Sequence, residues 1–138
     1  MDGRYFHLSF GDGYPNVFQN AVPVLRRVEI PAVLFMVTRF IGTDGERGGI
    51  ERMMWDDLRM LRSWVVEVSS HSRTHVRFTE LPDRDMLETD IVGSKRDIEK
   101  RVGTPCTCIA WPYGRNCDVN ERSLEVIAKA GYHACFGG

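Results

Sequence analysis

The sequence predicts an α/β protein built on a parallel sheet. Apolar segments with strand character alternate with segments of helical spacing along the 138-residue chain. Residues 30–37 are apolar almost throughout, which is typical of a strand buried on both faces of a parallel sheet. The alternation predicts right-handed crossovers, in either a barrel or an open doubly wound sheet. About five strand units are too few for a closed eight-stranded barrel, which needs roughly 200 residues or more.

Five segments are predicted as strands because they are rich in apolar, aromatic and β-branched residues. They are residues 4–10, 30–37, 64–69, 106–111 and 132–136. A Gly-Asp-Gly turn ends the first segment, and Pro112 with Gly114 ends the fourth. No Gly-x-Gly-x-x-Gly follows the first segment, which disfavours a dinucleotide-binding fold.

Four segments have the apolar spacing of helices. They are residues 17–28, 54–63, 81–102 and 120–130. The third has Asp83 as its predicted N-cap and Gly103 as its predicted stop, and Gly131 ends the fourth. The Gly-rich, charged residues 42–50 are predicted to be a mobile loop. We see no linker or repeat, so residues 1–138 are interpreted as a single domain.

The composition is that of an ordinary globular protein, with 43% hydrophobic and 27% charged residues. A net charge of −1 gives no indication of a nucleic-acid partner. The longest apolar run is far shorter than the ~18 residues that a membrane-spanning helix needs. The first residues lack the basic and then apolar pattern of a secretory signal, so a cytoplasmic location is the default expectation.

Four cysteines, Cys106, Cys108, Cys117 and Cys135, lack the Cys-x-x-Cys spacing of zinc knuckles. We therefore interpret them as buried reduced thiols rather than as a metal site or a disulfide framework. Cys106 and Cys108 alternate and would share one face of a strand.

Polar residues with metal-binding potential follow two of the predicted strands. His71 and His75 come after the third strand and could bind one ion if the backbone makes a helical turn there. Asp12 comes after the first strand, and in parallel folds the carboxyl ends of the strands form the site. One carboxylate and two imidazoles would leave coordination positions open, as in catalytic metal sites. The alternative for Asp12 is a turn aspartate in a Gly-Asp-Gly bend.

Tyr113 follows the fourth strand, so it is expected at the same edge. Its backbone N–H, next to a proline that cannot donate, could stabilise a developing oxyanion. The alternative is a core aromatic at the end of a strand. The tryptophans are expected in the core, although Trp111 could also line a sugar-binding groove. His7 is interpreted as a strand residue with its polar atoms satisfied, and His133 as structural or exposed.

Three motifs resemble, in order and spacing, those of the polysaccharide deacetylases (the NodB-homology domain, carbohydrate esterase family 4). They are Phe10-Gly11-Asp12-Gly13-Tyr14, His71-Ser72-Arg73-Thr74-His75 and Trp111-Pro112-Tyr113-Gly114. Two further stretches, Pro31-Ala32-Val33-Leu34-Phe35 and Ala130-Gly131-Tyr132, are similar to segments of the same family. The resemblance covers about residues 6–136.

The resemblance implies a distorted (β/α) barrel-like sheet, incomplete here, and a hydrolase that removes N-acetyl groups from amino-sugar polymers. By this resemblance, Asp12, His71 and His75 hold a divalent metal, expected to be zinc. Tyr113 supplies the oxyanion-stabilising amide, and the substrate, an N-acetylated oligo- or polysaccharide, binds at residues 111–113. The unpaired edges of a five-stranded sheet could also join copies of the chain.

Departures from the family pattern bear on activity. Gly11 occupies the position of the family's general-base aspartate, and a positioned base contributes ~10² to 10⁴ in rate. Ala110 and Trp111 occupy the positions where an arginine often precedes Pro-Tyr in the family. The family's last two motifs, including its general-acid histidine, have no match in residues 1–138, and His133 does not correspond to it. The alternatives to an impaired hydrolase are a non-catalytic carbohydrate-binding pseudoenzyme and a truncated fragment.

Overall fold

The computed structural model describes residue 4 and residues 6–43, 51–61 and 65–137. Five parallel strands form one sheet in the order of the sequence. They are β1 (Ser9–Phe10), β2 (Ala32–Met36), β3 (Val66–Ser70), β4 (Cys108–Ala110) and β5 (Ala134–Phe136). The predicted parallel α/β sheet is confirmed. The sequential order gives a curled half-barrel rather than a doubly wound sheet, in which the strand order would reverse.

Within the described ranges, four α-helices connect the strands. They are α1 (Val22–Val28), which continues from a π-helical turn at Val17–Ala21, α2 (Trp55–Leu61), α3 (Arg84–Val102) and α4 (Glu121–Lys129). The Asp83 side chain accepts a 2.8 Å hydrogen bond from Met86 N, and Gly103, with a φ of 81°, ends α3. The predicted cap and stop of the longest helix are therefore confirmed. None of the helices described is long and apolar enough to cross a membrane.

All five strands are shorter than the segments predicted for them. At the edge of the described sheet, β1 pairs only with β2, through Ser9 with Val33 and Phe10 with Leu34. β4 starts after Cys106, because the Cys106 N–H donates to the Glu99 side chain at 3.3 Å rather than to a neighbouring strand. The predicted loop between residues 44 and 50, the end of the second helix and Trp64 lie outside the described residues.

The core lies between the convex face of the sheet and the helices. Its fully buried side chains come from β2 and β4 on one side and from α2 and α3 on the other; they include Leu34, Met36, Ile109, Leu58, Ile91 and Ile98. Trp55 and Trp111 are only partly buried and pack against this cluster. The core holds the strands in register, so that their carboxyl ends meet at one edge of the sheet.

The expectation of four buried thiols is correct only for Cys106. Cys108 is half-buried, whereas Cys117 and Cys135 are exposed, and all four are free. Cys135 is exposed because β5, the other edge strand of the described sheet, has one strand neighbour. Association of copies through the two edges stays a prediction.

Candidate metal centre

The structure brings Asp12, His71 and His75 together at the carboxyl edge of the sheet. Asp12 Oδ1 lies 3.4 Å from His71 Nε2 and 3.3 Å from His75 Nε2. One potential ligand atom from each residue lies within 4.8 Å of the other two. The spacing of these atoms suits coordination of one ion, while the role of the three residues as ligands stays a prediction.

The two histidines are carried by an irregular loop, and they come together without the helical turn on which their shared binding of an ion had been made conditional. Ser72 and His75 have left-handed φ values of 65° and 61°. The buried Ser70 hydroxyl accepts a 3.1 Å hydrogen bond from Ser72 N, and the Ser72 hydroxyl accepts one of 3.0 Å from His75 N. These two hydroxyls satisfy backbone N–H groups that a helical turn would have bonded to carbonyl oxygens, and they stabilise the loop.

Helix α3 also holds this loop through hydrogen bonds to Asp90. Asp90 Oδ1 accepts hydrogen bonds from the Thr74 N–H and hydroxyl, both at 2.8 Å. Asp90 is buried, and this burial raises the pKa of its carboxyl group. Asp90 was not predicted from the sequence as part of the site. The sequence feature that could have identified Asp90 is its position on the apolar face of α3, three residues after Leu87. A buried acidic side chain there needs a polar partner.

The protonation pattern of the cluster favours cation binding. His71 Nδ1 lies 2.9 Å from the carbonyl oxygen of Ala110, which assigns the ring proton to Nδ1 and leaves the Nε2 lone pair facing Asp12. Burial lowers the pKa of His71. The hydrogen bond with His75, together with nearby positive charge, lowers the pKa of Asp12. The site therefore presents an ionised carboxylate beside a neutral imidazole.

A buried arginine supports the turn that carries Asp12, which itself has a φ of 67°. Arg52 Nη1 donates to the Asp12 carbonyl oxygen at 3.2 Å, and its guanidinium carbon lies 4.1 Å from the centroid of the Tyr14 ring. The N–H of Met53 donates to the Gly13 carbonyl at 3.0 Å. Arg52 was not predicted from the sequence, because it lies forty residues from Asp12 in the chain and only the fold brings the two together.

Gly11 leaves open space beside His71. A Cβ atom built on Gly11 would have His71 Nε2, 4.0 Å away, as its nearest neighbour, which is ordinary van der Waals distance. Gly11 is not among the described residues with a left-handed φ. Neither sterics nor backbone strain therefore requires glycine at this position.

A cavity of about 370 Å³ opens in front of the cluster. Trp111 and Tyr113 line this cavity, whereas Pro112 is buried and does not. Tyr113 is 43% exposed, so the interpretation as a core aromatic is wrong. His7 lies before β1, lines the same cavity and stacks on Phe136 at 4.5 Å between ring centroids, rather than acting as a strand residue.

Comparison with known proteins points to one family. The polysaccharide deacetylase family model matches residues 1–135. The poly-beta-1,6-N-acetyl-D-glucosamine N-deacetylase of Staphylococcus aureus (strain MSSA476) is 24% identical over 135 residues, which cover 93% of this chain and 46% of that protein. The chain spans less than half the length of the curated relatives it matches.

Two solved structures share the fold. IcaB from Ammonifex degensii has a TM-score of 0.86 at 22% identity, covering 99% of this chain and 61% of that chain. BA3943 of Bacillus anthracis, a CE4 family pseudoenzyme, has a TM-score of 0.79 at 15% identity, covering 98% and 43%. At these identities, the likeness establishes the common architecture.

Proposed function

The chain belongs to the polysaccharide deacetylase family, and we propose that it is a metal-dependent hydrolase that removes N-acetyl groups from amino-sugar polymers. The proposal assigns a divalent metal, zinc, to Asp12, His71 and His75. It assigns stabilisation of the oxyanion to the main-chain N–H of Tyr113. The observation that carries the proposal is the convergence of one carboxylate oxygen and two imidazole nitrogens within 4.8 Å of one another.

The donor set suits zinc. Carboxylate oxygen and imidazole nitrogen are ordinary zinc ligands, and three protein ligands leave a position open for water or substrate. The hydrogen bond of His71 Nδ1 to the Ala110 carbonyl is the kind of contact that orients a ligating imidazole. Zinc bound there would polarise the substrate carbonyl and lower the pKa of a bound water to ~7.

The Tyr113 N–H is suited to donate a hydrogen bond to an oxygen on which negative charge develops. Gly114 N closes the turn by donating to the Trp111 carbonyl at 3.3 Å, and no described residue accepts a hydrogen bond from the Tyr113 N–H. A preorganised donor of this kind stabilises the oxygen of a tetrahedral intermediate. Gly11 has no side chain that could act as the general base and remove a proton from the attacking water. We therefore propose that turnover is slow.

The proposed substrate is an N-acetylated oligosaccharide. A relative named for action on poly-beta-1,6-N-acetyl-D-glucosamine is 24% identical to the chain, which supports an amino-sugar polymer. The partly buried Trp111 lines the cavity beside the cluster, where an indole ring could contact the apolar face of a sugar.

Acetate release tests the proposal. Metal-stripped protein is reloaded with zinc and incubated with β-1,4- and β-1,6-linked N-acetylglucosamine oligomers. We expect release that requires zinc and disappears in Asp12→Asn, which keeps the side-chain shape but lacks the charge. Equal release after chelation would contradict the metal requirement, and no release from zinc-loaded wild type or Gly11→Asp would contradict hydrolysis.

Gly11 favours a second candidate function, a carbohydrate-binding protein without turnover. Such a protein would keep the metal cluster and the cavity while lacking the proton acceptor. Saturable binding of the same oligomers, measured by calorimetry, without acetate release would support this candidate. Absence of binding at millimolar oligomer would exclude it.

A further inference from the structure

The ring of Tyr113 packs between a cationic side chain and one of the three candidate metal ligands. The guanidinium carbon of Arg77 lies 4.0 Å from the centroid of the Tyr113 ring. The Tyr113 ring centroid in turn lies 5.0 Å from that of His75. The tyrosine ring therefore contacts both a fixed cation and one of the candidate ligands.

The backbone of Tyr113 needs such support. Its φ of 66° lies in the left-handed region, which is uncommon for an aromatic residue and persists where surrounding contacts enforce it. The ring is 43% exposed, so burial of the ring alone does not hold the turn. The contact with Arg77 is the closest cation–ring contact among the described residues, which makes it the main candidate for this support.

Arg77 is itself anchored by a buried carboxylate. Its Nε lies 2.9 Å from Asp118 Oδ1, and the Asp118 side chain is 1% exposed. The N–H does not point along that line, so the pair is ionic rather than a directed hydrogen bond. Arg115 binds the same carboxylate with Nε and Nη2 at 3.0 and 3.1 Å, and these hydrogen bonds, with the charge of Arg77, hold the pKa of Asp118 below its usual value.

We propose that Arg77 is a positioning residue for the oxyanion-stabilising amide. By packing its guanidinium against the Tyr113 ring, Arg77 fixes the left-handed turn so that the Tyr113 N–H faces the cavity. The inference rests on the proposed hydrolysis of N-acetyl groups, which converts an amide and water to acetate and an amine. Acetate carries a carboxylate oxygen that can accept the same hydrogen bond, so it serves as the probe.

The test is an NMR titration of the zinc-loaded chain with acetate, following the Tyr113 amide resonance. In Arg77→Ala we expect acetate binding to weaken about tenfold, the size of one lost hydrogen bond to a charged group, and the acetate-induced shift at Tyr113 to disappear. Zinc affinity should stay within about threefold, because Asp12, His71 and His75 remain. A merely structural role would lower the melting temperature without changing the acetate affinity of the folded protein.

Two controls isolate the ring contact. Arg115→Ala removes a cation from Asp118, and Glu80→Gln removes the negative charge of the exposed partner that lies 3.0 Å from Arg77. Both should leave acetate binding unchanged. If Arg77→Ala fails to fold, Arg77→Lys keeps the charge beside Asp118 without the planar guanidinium, and it should show the same loss. Unchanged acetate affinity in the folded Arg77 variants, or an equal loss in Arg115→Ala, would overturn the proposal.

The metal-free chain separates this proposal from the proposed function. If wild type binds no zinc, the hydrolase proposal fails, yet the Tyr113 amide resonance of metal-free protein still reports on the turn. We expect that resonance to move in Arg77→Lys and to stay in place in Glu80→Gln. If it stays in place in both, Arg77 does not position Tyr113.

Discussion

The two sides of the candidate site differ in what they supply. The loop at residues 71–75 is fixed by buried serine hydroxyls and by Asp90, and it presents two ring nitrogens. The turn at residues 11–13 is also fixed, yet it presents a carboxylate at Asp12 and no side chain at Gly11. Because the space beside Gly11 is open, the structure holds the three candidate metal ligands together without a side chain that could transfer a proton at residue 11.

Restoring a carboxylate at residue 11 is the largest change that this comparison predicts. Gly11→Asp should raise zinc-dependent acetate release by ~10² to 10⁴, the usual contribution of a positioned general base. The side chain enters open space, and a Cβ there meets no atom closer than 4.0 Å. Gly11→Asn is the matched control, since an amide of the same shape accepts no proton. Equal rates for the two variants would mean that the missing base does not limit turnover.

Stability and metal binding should respond separately to changes in α3. Ile91 is fully buried beside Asp90 in the core. Ile91→Ala should lower the free energy of unfolding by about 2–5 kcal/mol, because it removes buried methyl groups and leaves a cavity. Urea unfolding measures this loss. Zinc affinity of the folded variant should not change, and a parallel fall would mean that core packing, rather than Asp90, sets the loop geometry.

Removing Asp90 should lower zinc affinity more than it lowers the free energy of unfolding. Asp90→Ala deprives the Thr74 N–H and hydroxyl of their acceptor, so the histidine loop loses two hydrogen bonds to α3 while the ion pair of Arg73 with Asp97 remains. Zinc affinity should fall about 10- to 100-fold, as is common for residues that orient metal ligands. Calorimetric titration measures the change, and Asp85→Ala, an exposed position on the same helix, is the control. Unchanged affinity in Asp90→Ala would show that the serine hydroxyls suffice.

Modifying the exposed thiols should have the smallest effect on the site. Burial raises the pKa of Cys106 to about 12, so at pH 8 it is a neutral thiol and should resist alkylation. Cys117 and Cys135 are exposed and should react. Mass spectrometry of peptides identifies the modified positions, and zinc affinity should be unchanged afterwards. Rapid alkylation of Cys106 in native protein would contradict the closed packing around it.

Local signals in the sequence were enough for the helices and for the composition of the site. Helix α3 begins after Asp83 and ends at Gly103 as predicted, because capping depends on residues adjacent in the chain. Asp12 and the two histidines were found because they follow strands, and parallel strands bring their carboxyl ends to one edge.

The remaining features depend on contacts between residues far apart in the sequence. The left-handed turns at Ser72 and His75 are supported in part by Asp90 of α3, so the spacing of the two histidines alone could not predict the backbone between them. The supports at Arg52 and Arg77 are likewise visible only once the fold brings them to Asp12 and Tyr113. Local patterns therefore identified the groups of the site, and tertiary packing determined their geometry.

Zinc titration of metal-stripped protein tests the central claim most directly, since it requires no choice of substrate. We expect wild type to bind one equivalent, His75→Ala to lose that binding, and His133→Ala, which changes an exposed histidine outside the cluster, to retain it. No binding by wild type, or equal binding by His75→Ala, would contradict a metal site at Asp12, His71 and His75.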